Sequence, residues 1–261
     1  MAFPVDSASL TSLLLLLDGN GVRYRVIGGM SNTMPSTDYY DGVIVNTRKV
    51  NTKTVAENKI TAECGATLTS IVRELARHSL GGLEPLYHIP GTLGGAIYGN
   101  AGAHGLEISD VLVDATCYSK STRQVSIIPR AELRFSYRTS RLKSEPLILI
   151  GATLAVDPRT PEQINGEIER LRILRENQPR GVKTLGSTFK RVNGVSAGYY
   201  IDRVGLKGAS VGGAAVSDVH AGFIINRGGA TYRDVIDLIA LVKTRVQLEF
   251  GITLEEEICF L

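Results

Sequence analysis

The run Ile89-Pro-Gly-Thr-Leu-Gly-Gly-Ala-Ile-Tyr-Gly-Asn-Ala-Gly-Ala-His-Gly105 sets six glycines and a proline among small apolar residues. Glycine has no Cβ to keep a ligand off the main chain, so such a run can bring bare N–H groups up to an anion. A second run, Ile27-Gly-Gly-Met-Ser-Asn32, directly follows the apolar-periodic stretch 24–27. Two such turns in one domain point to a ligand with more than one phosphate. Neither is a Rossmann fingerprint: Gly91-x-x-Gly94-Gly95 has the wrong spacing, and no strand–helix–strand unit with an acidic residue about 20 positions on accompanies it. Taken alone, the glycines fit two tight loops of an α+β protein equally well.

The elements that must hold these runs follow from periodicity and capping. A first helix is expected over 7–18, capped by Asp6 or Ser7 and stopped by Gly19 and Gly21. Its run Leu13-Leu-Leu-Leu-Leu17 is too short to span a bilayer and lacks the flanks of a signal peptide, so it reads as a buried amphipathic helix. Strands are expected at 24–27, 42–45 and 59–64, and a helix near 67–78 with Leu68, Ile71, Val72, Leu75 and Ala76 on one face. A β pair follows at 111–119 and 125–128, then a long strand at 147–156. Thr160-Pro-Glu-Gln163 is a helix start with a Thr cap, Pro in the first turn and Gln closing the box; the helix should run to about Asn177. A domain boundary is placed just before it, giving domains 1–155 and 156–261. The second domain shows a short helix at 197–204, a strand at 220–226, a long helix capped by Thr231 and ending before Gly251, and a final alternating strand at 253–260.

Composition narrows the function classes. The chain has 261 residues, 43% hydrophobic and 21% charged, enough for a substantial core. A net charge of +3 from 29 basic and 26 acidic residues is too balanced to argue for nucleic acid. Three scattered cysteines, with no C-x-x-C and no H-E-x-x-H, argue against a metal site and fit a reduced, cytoplasmic setting.

Gly28-Gly-Met-Ser-Asn32, Ile89-Pro-Gly-Thr-Leu-Gly-Gly-Ala96, Asn100-Ala-Gly-Ala103, Tyr137-Arg-Thr-Ser140, Gly186-Ser-Thr-Phe-Lys-Arg191, Gly205-Leu-Lys-Gly208, Gly212-Gly-Ala-Ala-Val-Ser217, His220-Ala-Gly-Phe-Ile-Ile-Asn226 and Leu254-Glu-Glu-Glu-Ile258 together resemble the motifs of the UDP-N-acetylenolpyruvoylglucosamine reductase family. These stand in the family's order and span nearly the whole chain. The resemblance implies an α+β protein: a two-part FAD-binding domain of the PCMH type, then a smaller mixed α/β substrate-binding domain. It implies FAD as cofactor and NADPH as hydride source. The substrate it implies is a small molecule, the enolpyruvyl ether of a UDP-sugar, reduced to UDP-N-acetylmuramate for peptidoglycan. A monomer without nucleic-acid or membrane partners is expected.

By resemblance, Gly28, Gly29, Ser31 and Asn32 cradle the pyrophosphate, and Gly91, Thr92, Gly94, Gly95 and Asn100 line the flavin. Arg138 matches the arginine that contacts the substrate carboxylate, Ser187 the serine that protonates the carbon intermediate, and Glu257 the glutamate that stabilises developing charge. Read without the resemblance, these three are a surface arginine, a turn serine and one of three solvated glutamates. Lys190, Arg191 and Lys207 are further candidates for phosphate or carboxylate contacts, and His220 reads as structural.

The sequence departs from the family at several points. No counterpart of the strand-bearing segment that precedes the first helix is evident, which leaves the first domain short of an edge strand. His88 stands where a glycine is usual before Ile-Pro-Gly, Met30 where another is common, and Thr139 where an aspartate is common. An imidazole at 88 could crowd or contact the flavin. The short 158–186 segment resembles the class without the extra tyrosine-bearing loop. Two other functions compete with the reductase: a flavin-free paralogue that binds a UDP-sugar as sensor or scaffold, and a flavoprotein oxidase acting on another alcohol.

Overall fold

In the computed structural model, which describes residues 1–261, Asp6 accepts a hydrogen bond from Ser9 N and caps α1 (Ser7–Gly19). Leu10, Leu14 and Leu17 of α1 are buried, while Leu15 and Leu16 face outward. β1 (Tyr24–Ile27) is followed by the two-residue β2 (Thr33–Met34) and by β3 (Val43–Asn46), which pairs parallel with β1. Ala2 adds one bridge beside Val45, donating to Ile44 O and accepting from Asn46 N, so the residue stretch before α1 lines the side of β3. β4 (Lys53–Ala56) and β5 (Lys59–Glu63) form an antiparallel hairpin. Thr67 then caps α2 (Leu68–Arg77), whose Leu68, Ile71, Val72 and Leu75 are all buried.

After β6 (Leu80–Gly81) the chain enters the long glycine-rich run and forms α3 (Leu93–Tyr98), β7 (Gly102–Ala103), β8 (Leu106–Glu107) and α4 (Ile108–Val111). β9 (Leu112–Ser119), β10 (Gln124–Pro129) and β11 (Leu147–Ala155) follow. They complete a five-stranded sheet in the order β10-β9-β11-β5-β4, antiparallel at each pair. β12 (Asp157–Pro158) pairs with β6 and leads into α5 (Pro161–Leu174), at whose start Thr160 and Gln163 exchange side-chain-to-backbone bonds.

The remaining elements are β13 (Lys183–Ser187), α6 (Ala197–Arg203), β14 (Ser210–Val211), β15 (Ala214–Val216), β16 (Phe223–Asn226), α7 (Tyr232–Phe250) and β17 (Cys259–Phe260). Four of the strands form an antiparallel sheet in the order β13-β16-β15-β14. α7 begins with a reciprocal box between Thr231 and Asp234 and ends at Gly251, whose φ of +68° only glycine adopts freely.

The contacts divide the chain into two units. The first comprises Met1–Gly29 and Tyr40–Ile173, the second Met30–Tyr39 and Leu174–Leu261. The first core gathers apolar side chains of α1, α2, α3 and the five-stranded sheet. The second packs the buried stripe of α7 (Val235, Leu238, Ile239, Val242 and Val246) with Phe189, Ile201, Leu254 and Ile258. This division differs from a boundary near Val156, because Ile164 of α5 is buried in the first core.

Two local readings need correction. The glycine-rich run is not loop throughout: Thr92, extended at φ −114°, caps the short α3. The final segment is not one strand over 253–260. Leu254 and Ile258 are buried as the alternation requires, but Phe260 is exposed, and only Cys259–Phe260 is strand. The reason is a change of partner: Phe189 bridges Glu256, whereas Cys259 and Phe260 pair parallel with Thr33 and Met34 of β2.

Candidate active site

In the first unit the two glycine-rich runs touch. A Cβ on Gly28 would lie 2.3 Å from Thr92 Oγ1, and one on Gly29 would lie 3.1 Å from Gly91 Cα. A side chain at 28 would force Thr92 to shift, and one at 29 would sit tightly on the Gly91 backbone. Neither amide donates to another atom of the chain. Gly94 sits as closely on Cys64, with its own amide donating to Cys64 O at 2.8 Å, whereas Gly95 has room around it. Gly91 holds φ at +113°.

Arg138 occupies the tight turn 136–139, in which Ser136 N donates to Thr139 O and Thr139 N to Ser136 O. Its φ of +56° is left-handed, a conformation that costs a non-glycine residue roughly 1–2 kcal/mol. Such strain concentrates where a side chain must be presented. The guanidinium is half-buried, lies over the Tyr137 ring at 5.1 Å, and reaches Asn100 O and Gly102 O, each at 3.4 Å. Asn100 is completely buried and ties together the turn, β8 and α4 by its side chain.

His88 is turned to α5: its Nε2 lies 3.3 Å from Ile168 O, and its ring meets Tyr87 edge-on at 4.9 Å. The glycine that is common at position 30 has a backbone cause, since Met30 has φ +52°.

In the second unit β13 carries Ser187 to its end across a bulge. Thr184 pairs with Ile225 and Ser187 with Phe223, so three steps on one strand oppose two on the other. Gly186, at φ +81°, lies in the bulge. A bulge of this kind re-aims the side chain that follows it, and Ser187 is exposed while Thr188 is buried. Thr188 is a junction. Its N donates to Gly222 O, its Oγ1 accepts from Ile224 N, and its O accepts from Glu257 N at 2.8 Å. Lys190 N then donates to Glu255 O, so 187–190 runs beside 255–257. Ser187 and Glu257 are thereby brought to neighbouring positions on paired backbone.

Asn32 joins this group, its Nδ2 donating to Glu257 O at 3.0 Å and its O accepting from Cys259 N. The pyrophosphate quartet of the sequence reading is thus divided: Gly28 and Gly29 belong to the first unit, Ser31 and Asn32 to the second. Of the three glutamates, Glu255 pairs with Lys190 and Glu256 with Lys243, while Glu257 is half-buried. The Lys190 ammonium holds the Glu255 carboxyl below the usual range. Lys207 is paired with Asp202, and Arg191 donates to Gly194 O. His220 accepts from Gly222 N through Nδ1, and burial holds its imidazole below the usual histidine range. The junction role of Thr188 and the bulge before Ser187 were not read from the sequence, since both depend on which strands pair.

Residues 178–261 match the family described as UDP-N-acetylenolpyruvoylglucosamine reductase, C-terminal domain, and residues 1–126 match the family described as FAD binding domain. The reductase of Caldicellulosiruptor bescii is 41% identical over all of this chain and 84% of its own length; that of Clostridium perfringens strain SM101 is 36% identical over 98% and 84%. The chain belongs to the UDP-N-acetylenolpyruvoylglucosamine reductase family. The crystal structure of the Thermus caldophilus reductase is similar across 99% of this chain and 90% of its own, with a TM-score of 0.82 and 31% identity. The first unit fits the FAD expected of a family member. Its two glycine loops approach so closely that a Cβ at 28 would collide with Thr92 and one at 29 would be tight on Gly91, and the amides of Gly28 and Gly29 have no acceptor in the chain.

Proposed function

We propose that this reductase-family chain is an FAD enzyme that takes hydride from NADPH and reduces UDP-N-acetylglucosamine enolpyruvate to UDP-N-acetylmuramate. When bound, FAD supplies the one thing no side chain offers, a centre that accepts and returns a hydride. Gly28 and Gly29 offer main-chain donors to its phosphates. Arg138 holds the substrate carboxylate with a planar fork that stays charged. Hydride addition to the terminal vinyl carbon leaves negative charge on the adjacent carbon and the carboxylate, where a guanidinium stabilises it. Ser187 then gives its hydroxyl proton to that carbon. A hydroxyl is a weak acid, so the role requires a strongly basic acceptor and a neighbour that stabilises charge, the part given to Glu257.

The observation that supports this reading is the Thr188 junction, where the backbone next to Ser187 pairs with that of Glu257 although 70 positions separate the two residues. No helix is long and apolar enough to cross a membrane. The reading takes the enzyme as a cytoplasmic monomer, in a compartment where its three free thiols stay reduced. The test is spectroscopic. Purified protein should be yellow, be bleached by NADPH without oxygen, and regain its colour when the enolpyruvyl substrate is added. Protein that stays colourless after incubation with FAD, or bleached protein that substrate leaves bleached, overturns the proposal.

A further inference from the structure

We infer that Asn100 is a positioning residue for Arg138, acting together with Glu107, and that its side chain serves neither flavin nor substrate directly. The inference rests on the role given above to Arg138. Asn100 is fully buried, and its side chain is spent within the chain. One amide proton goes to Glu107 Oε2 at 2.7 Å and the other to Ser136 O at 3.1 Å, while Oδ1 accepts from Ser109 N at 3.3 Å. No donor is left to offer a ligand.

The same residue touches Arg138 by two routes. Through Ser136 it fixes the first residue of the turn in which Arg138 sits left-handed. Through its own carbonyl, presented by a φ of +43°, it receives Arg138 Nη1, while Nη2 rests on Gly102 O. Both contacts are 3.4 Å, long enough to steer the guanidinium without clamping it. The short bond to the Glu107 carboxylate is the strong member of the set, because a charged acceptor roughly doubles a hydrogen bond. Glu107 thus anchors Asn100, and Asn100 aims Arg138.

Asn100→Asp keeps the shape and the tolerance for left-handed backbone. It turns two donors into an acceptor facing the Glu107 carboxylate and the Ser136 carbonyl. In the holoenzyme, flavin content and bleaching by NADPH should stay within twofold of the unmutated protein. Re-oxidation of the bleached protein by the enolpyruvyl substrate should slow on the order of 10- to 100-fold. Adding Glu107→Gln, whose amide can donate to the new carboxylate, should recover at least fivefold of that loss. In an Arg138→Ala background, Asn100→Asp should change re-oxidation less than twofold, since the residue it acts through is gone. Glu107→Ala, which removes the anchor without touching the loop at 100, should show the same pattern if Asn100→Asp folds poorly. Hydrogen exchange supplies a readout that needs no substrate: the amides of Ser136 and Thr139 should lose protection in Asn100→Asp. Unchanged protection there, equal damage to both half-reactions, or a full effect in the Arg138→Ala background overturns the inference. An unmutated enzyme that substrate does not re-oxidise would refute the reductase reading instead, with the exchange result still deciding the role of Asn100.

Discussion

Replacing Gly28 by alanine tests the contact between the two glycine loops. The backbone at 28 is not left-handed, so alanine brings no torsional strain and its whole effect comes from one methyl group. That methyl would stand 2.3 Å from Thr92 Oγ1, 3.4 Å from Thr92 Cβ and 3.5 Å from Cγ2. Thr92 is buried, and its hydroxyl caps α3, so the hydroxyl has to move by about 1 Å to reach an ordinary separation and then no longer faces Gly95 N. Overpacking costs typically 1–3 kcal/mol and a lost cap about 1, so Gly28→Ala should destabilise the first unit by about 2–3 kcal/mol. Thr92→Ala alone should cost about 1 kcal/mol. Because it removes the colliding oxygen, the double variant should cost only about 1–1.5 kcal/mol, well short of the sum. The chain has no tryptophan and its contacts divide it into two units, so the assay is urea-dependent hydrogen exchange read by mass spectrometry on peptides from Leu68–Arg77. Gly19→Ala, with no atom within 4 Å of the new methyl, serves as the neutral control. Additive costs for Gly28→Ala and Thr92→Ala, or a Gly28→Ala variant within 0.5 kcal/mol (an order-of-magnitude threshold for a surface change) of the parent, would refute the contact.

Other consequences follow from the site. Ser187→Ala should leave bleaching by NADPH near normal and slow substrate-driven re-oxidation by about 10²–10⁴-fold, measured by anaerobic stopped flow; equal slowing of both steps removes the serine from proton donation. His220 is held below its ordinary value of 6.5, chiefly by burial, so the unfolded chain binds its proton more readily than the folded one. Its contribution to stability is therefore complete above about pH 6.5 and is lost as pH falls toward the lower folded value. Denaturation midpoints at pH 7 and pH 5 should fall further apart in the parent than in His220→Gln, and equal gaps would contradict this. Burial pushes the Cys64 and Cys117 thiols up to about 12, while Cys259 is only half-buried. Iodoacetamide at pH 8 should label Cys259 first and the other two only on unfolding; early labelling of Cys64 in peptide maps would show that its burial is incomplete.

Much of the fold was legible because the signals are local. Asp6, Thr67, Thr160 and Thr231 each open the helix that the spacing of polar and apolar residues marks out. α3 was missed for the opposite reason. Gly94 and Gly95 weigh against a helix by propensity, but Gly94 is fixed by a tertiary contact with Cys64, which no short window reveals. The α5 assignment was right in kind, yet which unit it serves depends on Ile164 meeting the first core. Within the candidate site, the residue types at 138, 187 and 257 were readable through family motifs. The turn that strains Arg138, the bulge before Ser187 and the spent amide of Asn100 were not, since each is a property of pairing between distant segments.

The segment Met30–Tyr39 is an early part of the chain, yet its β2 finds its partner strand only at Cys259–Phe260, and Leu261 bonds both Met34 and Ser36. At about 5–20 residues per second on the ribosome, β2 waits roughly 10–45 seconds for that partner to be made. During that interval it is an orphan edge, kept short at two residues and next to Pro35, features that discourage pairing with a neighbouring nascent chain. A fragment cut cleanly at Leu174 would keep the four-stranded sheet but leave β17 without β2, so the second unit cannot be excised whole as one contiguous piece.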